Sequence, residues 1–218
     1  MVSGQMEAFW DSRFRKEGMI WGMNPSRTAV YALEAFRKAG ARTVLVPGSG
    51  YGRNTRLFSE AGMKVTGVEI SEYAVQLAKE HDPETTFYNA SVIDMAFLDV
   101  IYDAVYCFNV LHLFREADRK QFLNQCLNRL KNGGLAFFTV FSEIEPTFGK
   151  GPEIEPNTFE SRPGRPVHYF TEADLLAHFE AFEVLEAGIM EDPEDHGEGP
   201  HTHLLRYILA CNKGRPSL

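Results

Sequence analysis

The chain has 218 residues, 44% of them hydrophobic and 24% charged, and carries a formal net charge of -8. That is the composition of an ordinary globular protein, long enough for one well-buried domain and short for two. The acidic balance argues against a broad nucleic-acid or anionic-membrane surface, because phosphate contacts need clustered Lys and Arg; a small anionic substrate in a local basic pocket stays open.

The opening stretch MVSGQMEAFWDSRFRKEG has no apolar signal core and mixes acids with its basic residues. It reads as neither a secretory signal nor a transit peptide, so a cytoplasmic location is expected. Trp10 and Trp21 flank a short segment that either closes over a ligand as a lid or packs the first helix onto a sheet. Asn24 and Pro25 can cap and open a helix running to Ala39. RTVLV (42–46) is short, β-branched and apolar, the pattern of a strand covered on both faces.

A helix is expected over 53–60, ended by the Ala61-Gly62 break, then a strand over 64–70. Ser71 can cap SEYAVQLAKEH, whose Ala74, Val75 and Ala78 recur at helical spacing. Strands follow at 85–89 and 102–110. A helix over 116–131 carries the stripe Phe122, Cys126, Leu127 and Leu130, and Asn132-Gly133-Gly134 stops it. A fifth strand covers 135–141, Thr171 opens a helix to about Phe179, and strands at 182–189 and 204–211 close the chain.

Alternating strands and helices mean βαβ units and an α/β, doubly wound, mostly parallel sheet. The two closing strands have no helix between them, so they are expected to pair antiparallel at one edge. One domain spans the chain, with residues 1–40 as an N-terminal lid and helix and residues 142–170 as a substrate-cover loop. That loop, rich in Pro, Gly and Glu, shows no periodicity. Residues 191–203 read as a polar connection. Cys107, Cys126 and Cys211 are few, widely spaced and odd in number, and read as small buried hydrophobes rather than a disulfide framework.

The most informative stretch is VLVPGSGYGRN, with Gly48, Gly50 and Gly52 at alternate positions directly after the first strand. In an open α/β sheet a ligand sits at the carboxyl ends of the strands, and glycines there permit close backbone approach and positive φ. Glu69 ends the next strand, about 20 residues on, where a carboxylate can receive the vicinal hydroxyls of a ribose. Nicotinamide enzymes and S-adenosylmethionine (SAM) enzymes share this arrangement. A dinucleotide turn wants G-x-G-x-x-G, whereas here Arg53 occupies the third glycine position, and no Tyr-x-x-x-Lys pair is present.

PGSGYGRN, GMKVTGVEIS, YDAVYCFNVLHLF and LKNGGLAFFTVF, in this order and spacing, resemble the successive motifs of class I SAM-dependent methyltransferases. FWDSRFRKEGMIWGMNPS and VLVPGSGYG resemble the thiopurine and thiol/halide methyltransferase branch, and GRN with the closing H-x-H the small tellurite-resistance-type enzymes. The resemblance implies a Rossmann-like, seven-stranded sheet with its last strand antiparallel. It also implies SAM as cofactor. Gly48, Ser49 and Gly50 would line its methionine part, with Gly52, Asn54 and Trp21 beside them. Glu69 would hold the ribose, Ile70 would pack on the adenine, and Ser91 and Val92 would sit at the adenine edge. Phe108, Asn109 and Val110 would lie beneath the sulfonium. Two departures stand out: Val46 and Ser91 occupy positions where many members of the family have acids, and Asp94 comes slightly late.

Among candidate catalytic residues, His112 follows the fourth strand and can orient or deprotonate a nucleophile; otherwise it packs or faces solvent. His201 and His203 are candidates to face the substrate, against a plainly solvated loop. His196, with these two and Asp192 and Asp195, invites a metal reading, but the spacing matches no known ligand motif and no metal is expected. Arg162 and Arg165 in the long loop can receive a carboxylate or oxyanion. The expected partner is a small-molecule methyl acceptor, a thiol or other soft nucleophile, with no nucleic acid or membrane. The alternatives are an NAD(P)-dependent oxidoreductase and a non-catalytic SAM-binding protein.

Overall fold

The computed structural model describes residues 3–195 and 199–214. Helix α1 (Ser3–Glu17) and helix α2 (Arg27–Lys38) precede strand β1 (Thr43–Pro47). There follow α3 (Thr55–Glu60), β2 (Lys64–Glu69), α4 (Glu72–His81), β3 (Thr86–Asn89) and β4 (Tyr102–Phe108). A 3-10 turn at Leu111–Leu113 leads to α5 (Glu116–Asn128) and β5 (Leu130–Phe141). Next come β6 (Glu153–Glu155), β7 (Thr158–Arg162), β8 (Arg165–His168), α6 (Glu172–His178), β9 (Phe182–Asp195) and β10 (Pro200–Asn212).

Seven strands form one sheet in the order β3-β2-β1-β4-β5-β10-β9. β1 to β5 run parallel, and β10 inserts antiparallel between β5 and β9. The expected doubly wound sheet with an antiparallel last strand is what forms; β9, not the last strand, is the edge. The chain winds outward from β1 to β3, then returns to β4 on the other side of β1. That reversal opens a crevice at the carboxyl ends of β1 and β4, where an open α/β sheet binds its ligand.

The near-continuous apolar strands are explained by burial on both faces. Val44 and Val46 of β1, with Tyr106 and Phe137, pack under Ala32, Phe36 and Phe58 of α2 and α3. The alternate residues Leu45, Val105, Cys107 and Phe138 pack under Phe122, Cys126 and Phe179 of α5 and α6. The three cysteines form no disulfide; Cys107 and Cys126 are buried as expected, whereas Cys211 is only partly buried.

Five expectations need correction. The helix expected over 116–131 ends at Asn128, and Asn132-Gly133-Gly134 lie inside β5, which begins at Leu130. Residues 3–17, given no helix above, are α1, tied down where Asp11 Oδ1 accepts from Ser71 Oγ and the Tyr73 N–H, both at 2.9 Å. The helix opened by Asn24 and Pro25 begins at Arg27, because Ser26, not Asn24, accepts from the Ala29 N–H. The supposed loop 142–170 contains a three-stranded antiparallel sheet, β6-β7-β8. Its short strands are too brief and too mixed in polarity to show a period. The polar connection 191–203 is mostly strand: β9 and β10 continue as a hairpin whose backbone pairing reaches Asp195 and Pro200.

The small sheet is anchored through a buried polar network. His168 of β8 contacts Thr158 Oγ1 at 2.8 Å and Asp174 Oδ2 at 2.6 Å. Arg119, 3% exposed, donates to His178 Nε2 and to the Phe114 carbonyl, and lies 3.7 Å from Glu155 of β6. Burial would raise the Asp174 carboxyl, yet hydrogen bonds from His168 and His178 overcome it and hold it well below the usual range.

Candidate active site

A cleft of about 840 Å³ lies over the crevice between β1 and β4. Its floor is the β1–α3 turn and the ends of β2 and β4; its roof is α1, the Trp21 segment and β8.

The turn begins where the N–H groups of Gly48 and Ser49 both donate to the Val68 carbonyl, at 2.7 and 3.2 Å. The three glycines serve three different purposes. A Cβ on Gly48 would stand 2.3 Å from Val110 Cγ2, so this glycine makes room for the end of β4. A Cβ on Gly50 would meet only Phe14, at 3.8 Å, and otherwise project into the cleft. Gly52 does not line the cleft at all: its Cβ would crowd Thr55 and the Ala78 backbone, so it lets the turn pack on α4. All three have positive φ, where glycine carries no steric cost.

Glu69 ends β2 at the cleft wall, 6% exposed. Its Oε2 accepts the Gly50 N–H at 3.0 Å and its Oε1 the Ser71 N–H at 2.9 Å. Burial pushes this carboxyl above its usual range, and the two N–H groups pull part of the way back. Each oxygen keeps lone-pair capacity for a further donor. Ser49 Oγ is buried beside the turn without a hydrogen-bond partner among the described residues. A side-chain-free step at Gly50, a fixed carboxylate and an unsatisfied hydroxyl fit the amino-acid and ribose portions of an adenosyl ligand.

The other expected cofactor residues, Asn54, Ile70, Ser91, Val92, Phe108, Asn109, Val110 and Trp21, all line this cleft. Asn54 also accepts the Ser26 N–H at 3.0 Å, locking the start of α2 to the turn. Asn109 has φ +55, sparsely populated for a residue other than glycine. Thr139 holds it there: its carbonyl and Oγ1 accept the Asn109 N–H, and its hydroxyl donates to Asn109 Oδ1 at 3.0 Å.

The sequence reading missed Met6, Arg13, Phe14 and Tyr51, which complete the wall. Met6, Trp10 and Arg13 lie at i, i+4 and i+7, a helical stripe that was legible. Tyr51 could not be read this way. It is 1% exposed, stacks on Trp21 at 6.2 Å, donates to the Gly22 carbonyl and receives the Trp21 N–H. Trp21 packs in this aromatic cluster and also lines the cleft. Asp94, which looked displaced by sequence, also reaches the wall.

His112 and His203 both line the far end of the cleft, beside Phe141. The His112 ring stacks on Phe141 at 4.1 Å, and its Nδ1 accepts the Phe141 N–H at 3.3 Å. The neutral ring therefore carries its proton on Nε2 and acts as a donor. Burial first, then the charges of His203 and His168, hold its pKa at about 3. It can orient an acceptor; it cannot serve as a base at neutral pH.

A pH effect on stability follows. The folded pKa is depressed, so below about 6.5 the unfolded chain takes up a proton that the folded protein refuses. The contribution is intact above that pH and falls by about 1.4 kcal/mol per pH unit on descent towards about 3. Urea titrations across this window should show His112→Gln losing stability less steeply than the parent; equal slopes would refute the buried neutral ring.

His203 Nδ1 lies 3.0 Å from Glu145 Oε2, while Glu145 Oε1 accepts the Leu204 N–H at 2.6 Å. Glu145, 4% exposed, stands just after β5 in the stretch expected to be structureless. His201 pairs with Glu194 through the backbone, and its side chain falls outside the described residues, as does His196. Among the described residues no His, Cys, Asp or Glu group is arranged to hold a metal ion, and no helix is long and apolar enough to cross a membrane.

Residues 45–138 match the family described as a methyltransferase domain. A Mycolicibacterium smegmatis protein described as "Probable S-adenosylmethionine-dependent methyltransferase" is 30% identical over 173 residues, covering 77% of this chain. The chain spans 65% of the length of that curated relative. Among solved structures, that of "Conversion of a Disulfide Bond into a Thioacetal Group during Echinomycin Biosynthesis" superposes with a TM-score of 0.74 at 17% identity, covering 97% of this chain and 93% of that one. Magnesium protoporphyrin IX methyltransferase from Synechocystis PCC 6803 with bound SAM superposes with a TM-score of 0.68 at 16% identity, covering 96% of each chain. These two establish the likeness of fold.

Proposed function

We propose, on the premise that the chain carries a methyltransferase domain of the class I SAM-dependent type, that it transfers a methyl group from SAM to a small-molecule acceptor. The observation that carries this reading is the pairing of Glu69 with the Gly50 step: a fixed, buried carboxylate faces backbone that no side chain obstructs. Trp21 and Phe14 cover the methionine end, Glu69 receives the ribose hydroxyls, and Ile70, Ser91, Val92 and Asp94 surround the adenine.

When bound, SAM supplies a methyl group on a sulfonium that departs as a neutral thioether. The chain's own work is then alignment and exclusion of water. Phe108, Asn109 and Val110 form the floor at the reacting end. His112 donates from Nε2 to orient the acceptor atom. Glu145 holds the proton on Nδ1 of His203, which leaves Nε2 as the basic nitrogen that takes a proton from an acceptor arriving protonated. A thiolate needs no such help, and a thiol or other soft nucleophile is the acceptor we favour. Residues 1–40 and 142–170 act as covers, and the three free thiols suit a reducing cytoplasm.

Calorimetric titration with SAM, S-adenosylhomocysteine, NAD and NADP tests the cofactor, and release of S-adenosylhomocysteine with a panel of thiols, phenols and amines tests the transfer. Binding without release would leave a SAM-binding protein that is not an enzyme, and preference for NAD a dehydrogenase. Glu69→Ala should weaken SAM by roughly 1.5–3 kcal/mol, the scale of a hydrogen bond to a charged group. An unchanged dissociation constant would remove Glu69 from the ribose.

A further inference from the structure

Arg165 opens β8 directly after the Pro163-Gly164 turn, and it lines the cleft. No carboxylate among the described residues lies within ion-pair distance of it. Its one close companion is the ring of Phe9 on α1, 4.1 Å from the guanidinium carbon. A phenyl face attracts a cation weakly and does not neutralise it. Across the strand pair, Arg165 stands opposite Arg162, and like charges placed so are destabilising. Burial, then Arg162 and Arg13, lower its pKa to about 10, which leaves it charged at neutral pH. A partly buried, unneutralised cation in a chain with 30 acidic and 22 basic residues is costly unless something else balances it.

Position shows which end of the cleft it serves. β8 packs against the 3-10 turn that carries His112, at the carboxyl end of β4. Arg13, near enough to Arg165 to lower its pKa, lies over Trp10 and Trp21 and has a carboxylate of its own, Glu17, at 3.4 Å. Arg162 is exposed and does not reach the wall. The acids on the wall are Glu69 and Asp94 at the adenosyl end and Asp118 on α5, and none pairs with Arg165.

We infer that Arg165 is the anchor for an anionic group on the acceptor, a carboxylate or comparable oxyanion, so that the natural substrate is an acid whose nucleophilic atom is turned towards His112 and His203. This rests on the methyltransferase reading of the same cleft. The planar guanidinium receives a carboxylate through two parallel N–H donors, which fixes orientation as well as affinity. It also supplies the counter-charge that the fold omits.

The test uses matched acids and neutral esters: thiosalicylate with methyl thiosalicylate, and 4-mercaptobenzoate with its methyl ester. Each is titrated into the protein saturated with S-adenosylhomocysteine, so the readout does not depend on turnover. The acids should bind at least about tenfold more tightly than their esters. Arg165→Gln should reduce that ratio about tenfold or more, and Arg165→Lys should retain part of it. Acids that bind no better than esters, or a ratio that Arg165→Gln leaves intact, would overturn the assignment. So would an equal loss of SAM affinity in Arg165→Gln, which would give the guanidinium to the carboxylate of SAM itself. Failure of the methyltransferase reading looks different: acids bind through Arg165, but no member of the panel releases S-adenosylhomocysteine.

Discussion

Gly50→Val should raise the dissociation constant for SAM at least about 100-fold, some 2.8 kcal/mol, in a protein that still folds. The valine side chain would project into the cleft, where only Phe14 lies within 4 Å of the new Cβ. Part of the effect is backbone strain, since φ is +55 at this position, and that costs on the order of 1–3 kcal/mol of stability. Gly50→Asn separates the two contributions. Asparagine tolerates the left-handed region, so its stability cost is small while its side chain still obstructs the ligand. Gly48→Val should behave in the opposite way. Its Cβ would collide with Val110 at 2.3 Å, so the loss appears first in thermal stability. Calorimetry with SAM beside thermal melts of all three variants checks the pattern. Normal SAM affinity in both Gly50 variants would show that the ligand does not approach this turn.

His203→Ala should lower kcat roughly 100- to 10,000-fold for an acceptor that arrives protonated, with the SAM dissociation constant little changed. For an acceptor already ionised at the assay pH the same substitution should matter far less. Glu145→Gln keeps the shape of the side chain but can no longer fix the proton on Nδ1. It should cost roughly tenfold or more in kcat for the protonated acceptor and shift the acidic limb of the pH–rate profile to lower pH. The sign follows from the charge: a carboxylate 3.0 Å from the ring stabilises the imidazolium, so its removal lowers the imidazole pKa, and a base of lower pKa is active from a lower pH. The decisive readout is the split between acceptors. Equal losses for ionised and protonated acceptors would make His203 and Glu145 structural.

The fold was legible for a simple physical reason. Strands such as TVLVP and YDAVYCF are buried on both faces, so they are largely apolar. Ser71 and Thr171 cap as their spacing implied, accepting from the N–H groups of Ala74 and Asp174. The small sheet was not legible. Its strands, of three to five residues, mix polarity because one side meets the cleft and the other the Arg119–Asp174 network. α1 went unread, since its hold on the body comes from Asp11 reaching across to Ser71 and Tyr73.

By itself the sequence determined the doubly wound sheet, the glycine turn and the carboxylate that faces it, because these depend on local backbone geometry and on periodic burial. Only the tertiary structure decided which glycine faces open cleft, which histidine is buried against Phe141 and which acquires a carboxylate partner, and which arginine on the cleft wall has no carboxylate within ion-pair distance among the described residues. Those outcomes depend on contacts between segments far apart in the chain: Gly48 with Val110, His112 with Phe141, Glu145 with His203, and Arg165 with Phe9. Charge balance, steric room and the position of a proton are properties of such meetings, and no single stretch of residues carries them.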